Sequence, residues 1–123
     1  MRHLLITLVV PAALHAQGTA PSEFPEGAQP LAADALRERI AGKVFDVKLA
    51  DGTGWRIEYR GNGYYFVDTT TGFRDDGRWR IDGPRLCHEA RKGASGCSEV
   101  RDKDGRIHIK RATTGEVLAL MPR

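Results

Sequence analysis

The sequence lacks the features that define several specialised classes of protein. It contains only two cysteines and no apolar run close to the roughly 20 residues that a transmembrane helix requires. Positive and negative side chains are nearly balanced. The chain has 19 lysines and arginines and 16 aspartates and glutamates, which gives a formal net charge of +3. That excess is too small for a dedicated nucleic-acid-binding protein. At 123 residues, the chain is also too short to combine a cofactor domain with a substrate domain.

Motifs that carry catalytic chemistry are missing as well. There is no glycine-rich phosphate-binding loop, and no serine stands in the strand-to-helix setting of a nucleophile elbow. The run at 102–105 begins like a calcium-binding loop, but Ile107 occupies the position that requires glycine and Thr113 the position that requires glutamate. We therefore expect an ordinary hairpin turn at 102–105.

Two histidines and a glutamate are the remaining candidates for a metal or acid–base site. Side chains alternate between the faces of a strand, so His88 should lie on the opposite face from Glu89 and His108. We expect a part-buried His88 and an exposed His108 that do not converge. No catalytic residue, metal ligand or cofactor is predicted, and the protein is predicted not to be an enzyme.

The amino-terminal segment resembles a secretory signal peptide. A basic start at 1–3 precedes an apolar run at 4–10, and small residues around Ala16 suit cleavage. The exact cleavage site is left open, because Leu14 is larger than the residue usually found there. We predict a signal peptide at 1–16, a flexible linker with three prolines at 17–30 and a single domain at 31–123. The protein is accordingly expected in the periplasm or outside the cell, with no transmembrane segment.

Export affects the interpretation of the two cysteines. An oxidising compartment favours a disulfide between Cys87 and Cys97. A zinc site would need more ligands than these two residues, His88 and His108 are able to arrange. The sequence therefore predicts a disulfide.

Turn signals recur about every ten residues after Gly42, as at 51–52 and 104–105. Such spacing is typical of short antiparallel strands, and a small barrel or a strongly curved sheet protects their edges. We predict a mostly β fold, an antiparallel meander of about eight short strands forming a small barrel or curved sheet. The predicted strands are 44–49, 55–60, 64–69, 78–82, 85–90, 97–102, 106–111 and 116–121.

One short helix is predicted before the first strand. Ala35, Leu36 and Ile40 recur at helical spacing on one face. Pro30 suits the start of this helix and Gly42 its end. Because it offers few bulky apolar residues, the helix should pack on the sheet as a plug or lid.

The alternation of apolar and polar residues also predicts strand register. A three-residue loop at 61–63 pairs Tyr59 with Tyr65 and Arg56 with Asp68. A two-residue loop would place the Asp68 carboxylate on the apolar face, which is costly without a partner. We therefore predict the three-residue loop.

The predicted disulfide agrees with the register of its neighbours. Pairing Cys87 with Cys97 places Arg85 opposite Glu99. A two-residue turn at 104–105 then places Lys110 opposite Glu99 from the other side. Cysteine and charge positions are thus compatible in one antiparallel arrangement.

A glycine–tryptophan strand at 77–87 carries a family resemblance. Together with the leader, a short helix ending in Gly42-Lys43, Cys97 and the turn at 104–105, it resembles small exported bacterial proteins of the domain of unknown function 995 type. The likeness covers about residues 36–121, and lipocalin-like small β-barrels are a weaker likeness. The resemblance implies a fold and a compartment. It implies no catalytic residue, because the family carries no established activity.

Two groups of side chains are candidate binding sites. Aromatic residues that point to the apolar face either line a cavity or fill the core, and arginines that point outward suit phosphate or carboxylate groups. The aromatic candidates are Trp55, Tyr59, Tyr65 and Trp79, and the candidate anion-binding face is Arg78, Arg80, Arg101 and Arg106.

The function predicted from these features is that of an exported, non-enzymatic binding or interaction domain. The expected partner is an envelope protein or a small ligand. Toward an envelope protein, the domain would act as an inhibitor or as an envelope-associated module. The alternative is a protein that binds anionic lipid or polysaccharide of the envelope, and the third is an enzyme whose polar groups converge in a pocket. Nucleic acid is not an expected partner.

Overall fold

Eight antiparallel strands form a closed barrel in a computed structural model, which describes residues 21–123. Each strand pairs with the next in chain order, and the last strand pairs with the first. The predicted mostly β fold is confirmed, and the pairing of the first strand with the last makes it a barrel. The predicted signal peptide and residues 17–20 of the predicted linker lie outside the described residues. The elements are α1 (Ala33–Ile40), β1 (Lys43–Lys48), β2 (Gly54–Tyr59), β3 (Tyr64–Thr69), β4 (Arg74–Asp82), β5 (Arg85–Ala90), β6 (Gly96–Lys103), β7 (Arg106–Lys110) and β8 (Val117–Pro122).

The predicted register is confirmed at all three hairpins. Tyr59 pairs with Tyr65 across the loop at 61–63, and Gly63 has the positive φ that this loop requires. Cys87 pairs with Cys97. Lys110 and Arg85 flank Glu99 from the two sides, as alternation indicated. Alternation predicts register well here because a slip of one residue would expose every apolar side chain of a strand.

Strand β4 is longer than predicted. It begins at Arg74 instead of Arg78, because Asp75 and Asp76 continue the ladder with β3 instead of forming a turn. Adjacent acidic residues before a glycine are common in turns, yet the Asp75 side chain points inward and is 7% exposed. Backbone N–H groups of the β5–β6 loop donate hydrogen bonds to this carboxylate and make its inward position tolerable.

Helix α1 closes one end of the barrel. Its Leu36 and Ile40 side chains are fully buried in the core, and Gly42 ends the helical segment with a φ of 76°. The Arg39 guanidinium binds the Asp102 carboxylate at 3.0 Å and the carbonyl oxygen of Gly105 at 2.6 Å. The helix is therefore attached at the end where the β6–β7 turn lies, and the β5–β6 and β7–β8 loops lie at the opposite end.

Residues 21–30 lie against the outer wall. Gln29 and Asp102 exchange backbone hydrogen bonds of 2.9 and 2.7 Å. Strand β5 pairs with β6 only as far as Glu99, so Gln29 occupies the edge of β6 that β5 leaves free. The backbone N–H of Val117 donates to the carbonyl oxygen of Pro21 at 2.8 Å. This part of the predicted linker thus satisfies backbone groups of two strands.

Candidate functional site

A cavity of about 260 Å³ lies inside the barrel. It is bordered by the β3–β4, β5–β6 and β7–β8 connections, all at the end opposite to α1, and exposed residues of these connections form its rim. Its size is slightly below the roughly 300 Å³ at which small-molecule pockets usually begin. The aliphatic part of its wall consists of Val47, Ile57, Val67, Ile109, Leu118 and Leu120.

The four predicted aromatic candidates divide into two groups. Trp55, Tyr59 and Tyr65 line the cavity. Trp79 lies in the packed core, where its Nε1 donates a hydrogen bond of 2.8 Å to the carbonyl oxygen of Arg60. Tyr59 and Tyr65 also belong to the buried core cluster, so the alternatives of cavity and core both apply and overlap at these two residues.

Tyr59 and His88 form a hydrogen-bonded pair at the inner part of the cavity. The Tyr59 hydroxyl lies 2.8 Å from Nε2 of His88, and Tyr59 is 1% exposed. Burial raises the pKa of Tyr59 above its ordinary value and lowers the pKa of His88 to about 4. Both side chains are consequently uncharged at neutral pH.

Tyr65 is the neighbour of this pair. Its ring meets the His88 ring edge-on, with centroids 4.9 Å apart and an interplanar angle of 84°. Burial, and then the negative charges of Asp75 and Asp76, raise the pKa of Tyr65 to about 12. Its hydroxyl therefore keeps its proton at physiological pH.

Asp75 connects the cavity wall to the β5–β6 loop. Its carboxylate accepts backbone hydrogen bonds from Asp76 at 2.9 Å, Lys92 at 3.0 Å and Gly93 at 2.9 Å. Burial works to raise the pKa of Asp75, but these hydrogen bonds outweigh it and hold the pKa below its ordinary value. The carboxylate thus orders a loop at the cavity rim. Sequence reasoning missed this role of Asp75. The available signal was the even spacing between Asp75 and the inward-pointing Trp79, which places both side chains on the same face of the strand.

Arg111 is a second residue at the rim that sequence reasoning missed. Its guanidinium lies 4.7 Å from the centre of the Trp55 ring and donates to Glu116 at 3.3 Å. The Glu116 side chain is only 11% exposed. The signal that could have revealed this pair is that Arg111 and Glu116 lie close in sequence, on the two sides of a turn that contains Gly115. The positive charge of Arg111 is therefore neutralised within the protein by Glu116.

The four arginines of the candidate anion-binding face are not collected into one site. Two of them contact aromatic rings: Arg78 lies 4.9 Å from the Tyr64 ring and Arg101 lies 4.5 Å from the Phe24 ring. Strand β5 separates β4 from β6. The positions are Arg78 and Arg80 on β4, Arg101 on β6 and Arg106 on β7.

The predicted disulfide joins Cys87 on β5 to Cys97 on β6. In the part of the chain from 21 to 123, these two sulfurs and the Asp82 carboxylate form the one close cluster of potential metal ligands. Thiolates, not disulfide sulfurs, are the metal ligands that cysteine provides. The cluster is therefore not a metal centre.

His88 and His108 occupy different sides of the wall, as alternation indicated. His88 lines the cavity, whereas His108 faces outward with Nδ1 3.2 Å from the carbonyl oxygen of Arg106. The expectation of an exposed His108 is wrong, since the residue is half-buried. Its ring shares a shallow depression with Pro25 and Pro122, which a local sequence pattern does not reveal.

Residues 21–123 thus form a small up-and-down β-barrel. Helix α1 closes one end of its interior, and the cavity lies toward the opposite end. No family model matches the chain, and comparisons with curated proteins and with solved structures find no match. None of the helices within residues 21–123 is long and apolar enough to cross a membrane. Function is therefore inferred from the geometry of the cavity.

Proposed function

We propose that this protein is a non-enzymatic binding domain that holds a small, mainly apolar molecule inside its barrel. The observation that carries the proposal is the cavity itself. It is closed at one end by α1 and bordered at the other by exposed loops. A mainly apolar, concave site with a few polar groups is the usual form of a small-molecule site.

The state of the charged groups supports binding over catalysis. The Asp75 carboxylate is occupied by backbone N–H groups, and the Arg111 guanidinium is paired with Glu116. A general acid or base must reach the proton that it transfers. These charged groups instead order the rim, which suits a site that is preformed before its ligand enters.

We also propose that the protein is exported to the periplasm or secreted. The Cys87–Cys97 disulfide supports this compartment, because disulfides persist in oxidising surroundings. The signal-peptide pattern at 1–16 agrees with it. Membership of the domain of unknown function 995 family is part of the same proposal and is carried by the sequence resemblance alone.

Binding of a simple apolar probe tests the proposed function. α-Methylstyrene is titrated into the isotope-labelled protein, and the methyl shifts of Ile57 and Leu118 report occupancy of the cavity. Val67→Phe should weaken binding about tenfold or more by filling the cavity. The matched control is Val44→Phe on the outer side of β1, which should leave affinity unchanged. Absence of cavity-wall shifts in the wild type, or equal affinity of both variants, would contradict the proposal.

Binding of anionic lipid or polysaccharide by the arginine face stays a prediction. Arg78 and Arg101 already stack on aromatic rings. Arg80 and Arg106 form no ion pair with any residue in the described range. These two side chains are the part of the face most able to meet an anion.

A further inference from the structure

Two polar groups of the cavity wall have no hydrogen-bond partner among residues 21–123. Among residues 21–123, every fully buried side-chain nitrogen and oxygen has a hydrogen-bond partner. Nδ1 of His88 and the hydroxyl of Tyr65 form no hydrogen bond within this range. Both atoms must therefore border open space, and the space that both side chains line is the cavity.

The hydrogen bond between Tyr59 and His88 decides where the proton of His88 lies. The Tyr59 hydroxyl is protonated and buried, and within the described residues Nε2 of His88 is its one partner. If the hydroxyl accepted instead, its O–H would be a buried donor without a partner, so the arrangement in which the hydroxyl donates and Nε2 accepts is the favoured one. A neutral imidazole has one N–H donor and one acceptor nitrogen. Since Nε2 accepts, the proton of His88 is on Nδ1, the nitrogen that faces the cavity.

We infer that the cavity takes a small neutral molecule with one carbonyl-type oxygen, which accepts hydrogen bonds from Nδ1–H of His88 and from the Tyr65 hydroxyl. This inference rests on the proposed function and names the ligand chemistry of the same site. The rings of His88 and Tyr65 are in edge-on contact, so the two donors belong to neighbouring side chains of an otherwise mainly apolar wall. Two donors facing an apolar chamber select a ligand that carries an acceptor at that point.

The surrounding charges explain why the ligand should be neutral. The carboxylate of Asp75 acts electrostatically on Tyr65 and would repel an anionic group held there. The Arg111 guanidinium at the rim is neutralised by Glu116. A carboxylate ligand would therefore be buried beside a negative charge, with neutral donors as its partners.

A pair of probes of the same shape tests the inference. Acetophenone and α-methylstyrene differ in that a carbonyl oxygen replaces a methylene carbon. The wild-type protein should bind acetophenone about tenfold more tightly, since a hydrogen bond of typical net strength corresponds to about that factor. Equal affinities would leave the proposed function standing and overturn the acceptor site. If neither probe binds, the proposed function is overturned and the acceptor site with it.

Variants of the two donors test whether they cause the preference for acetophenone over α-methylstyrene. In Tyr59→Phe/His88→Phe, both partners of the internal hydrogen bond are replaced by apolar rings, so no buried polar group is stranded. This variant should reduce the preference for acetophenone to the few-fold part that the Tyr65 hydroxyl supplies, while retaining affinity for α-methylstyrene. Tyr65→Phe should reduce the preference for acetophenone to a few-fold. An undiminished preference in either variant would overturn the assignment.

The tautomer of His88 is measured by NMR on the protein alone, with no ligand added. Two-dimensional ¹H–¹⁵N spectra at pH 7 should show His88 with a protonated Nδ1 and an unprotonated Nε2. In Tyr59→Phe, which removes the donor to Nε2, both tautomers should become populated. Protonation of Nε2 in the wild type would overturn the inference even if the double variant proved unable to fold.

Discussion

The hydroxyl of Tyr59 and Nε2 of His88 lie 2.8 Å apart inside the barrel. Tyr59 belongs to β2 and His88 to β5, and these strands are not neighbours in the sheet. The hydrogen bond therefore crosses the interior instead of following a hairpin. It satisfies two polar groups that would otherwise destabilise the folded state, and it holds the imidazole in one orientation toward the cavity.

Burial of His88 predicts a loss of stability in mild acid. The pKa of His88 is about 4 in the folded protein and 6.5 as the ordinary value for the unfolded chain. Between these values the unfolded chain binds a proton that the folded protein does not, so the free energy of unfolding falls as the pH falls. The total loss should be on the order of 3 kcal/mol. Urea denaturation at pH values from about 4.5 to 7.5 measures it.

The control for this pH dependence is the Tyr59→Phe/His88→Phe variant. It has no titrating ring at this position, so its stability should be much flatter between pH 6.5 and pH 4. Asp75 acts in a different window, because its lowered pKa gives stability that is lost only as the pH falls below about 3.8. Parallel pH profiles for wild type and double variant would show that His88 is not the group responsible.

Removing the charge of Asp75 should destabilise the protein and loosen the β5–β6 loop. Asparagine keeps the size but has only one acceptor oxygen for the N–H groups of Lys92 and Gly93. We expect Asp75→Asn to cost about 2–3 kcal/mol. Asp76→Asn is the matched control, because Asp76 forms a surface ion pair with Arg91 and should cost less than about 1 kcal/mol. Chemical denaturation measures the free energy of unfolding of the two variants. Similar losses of stability in both would contradict the role of Asp75.

Gly77 should not tolerate a side chain. A methyl group there would overlap the carbonyl oxygen of Glu89 and lie 2.9 Å from Cε1 of Tyr65, so β4 and β5 would have to separate. Gly77→Ala should cost about 3 kcal/mol, at the upper end of the range for overpacking. At Gly61 an added Cβ meets no atom within 4 Å, and Gly61→Ala should be nearly neutral. Thermal unfolding measures the stability of the two variants. An equally mild effect at both glycines would be inconsistent with the close packing of Gly77 against Glu89 and Tyr65.

The disulfide should stabilise the barrel without forming part of the cavity. Cys87 and Cys97 are 10 residues apart, and closing a loop of that length stabilises by about 3 kcal/mol in the chain-entropy model. Cys87→Ala/Cys97→Ala should lose that amount while binding α-methylstyrene with unchanged affinity below its unfolding transition. Mass spectrometry of the non-reduced wild type should find no free thiol. Detection of two thiols would contradict the pairing.

The arginine face is tested by comparing two double variants. If the face binds anionic lipid, retention on anionic vesicles should be weak, should decrease with salt, and should fall further in Arg80→Ser/Arg106→Ser. Arg74→Ser/Arg91→Ser removes the same charge from side chains already paired with Asp68 and Asp76. It should therefore have a smaller effect. Equal retention of all three proteins at low salt would exclude a specific role for the face.

The local features of this fold were predictable from the sequence. Each hairpin brings together residues close in the chain, and turn length with two-residue alternation then leaves one acceptable register. That is why the pairing of Tyr59 with Tyr65 and of Cys87 with Cys97 agreed with expectation. The same local evidence misjudged the start of β4, because the partners that make Asp75 tolerable inside a strand lie at Lys92 and Gly93.

The sequence alone was sufficient to predict about eight strands, the positions of most hairpins, the inward or outward side of most strand residues and the disulfide partners. Three features became visible only in the folded protein: β8 meets β1, Trp79 packs in the core while Trp55 lines a cavity, and Tyr59 reaches His88 across the interior. The physical reason is that alternation reports the face of a strand but not the depth or the distant neighbours of its side chains. Closure and the shape of the cavity depend on the twist and tilt accumulated over all eight strands.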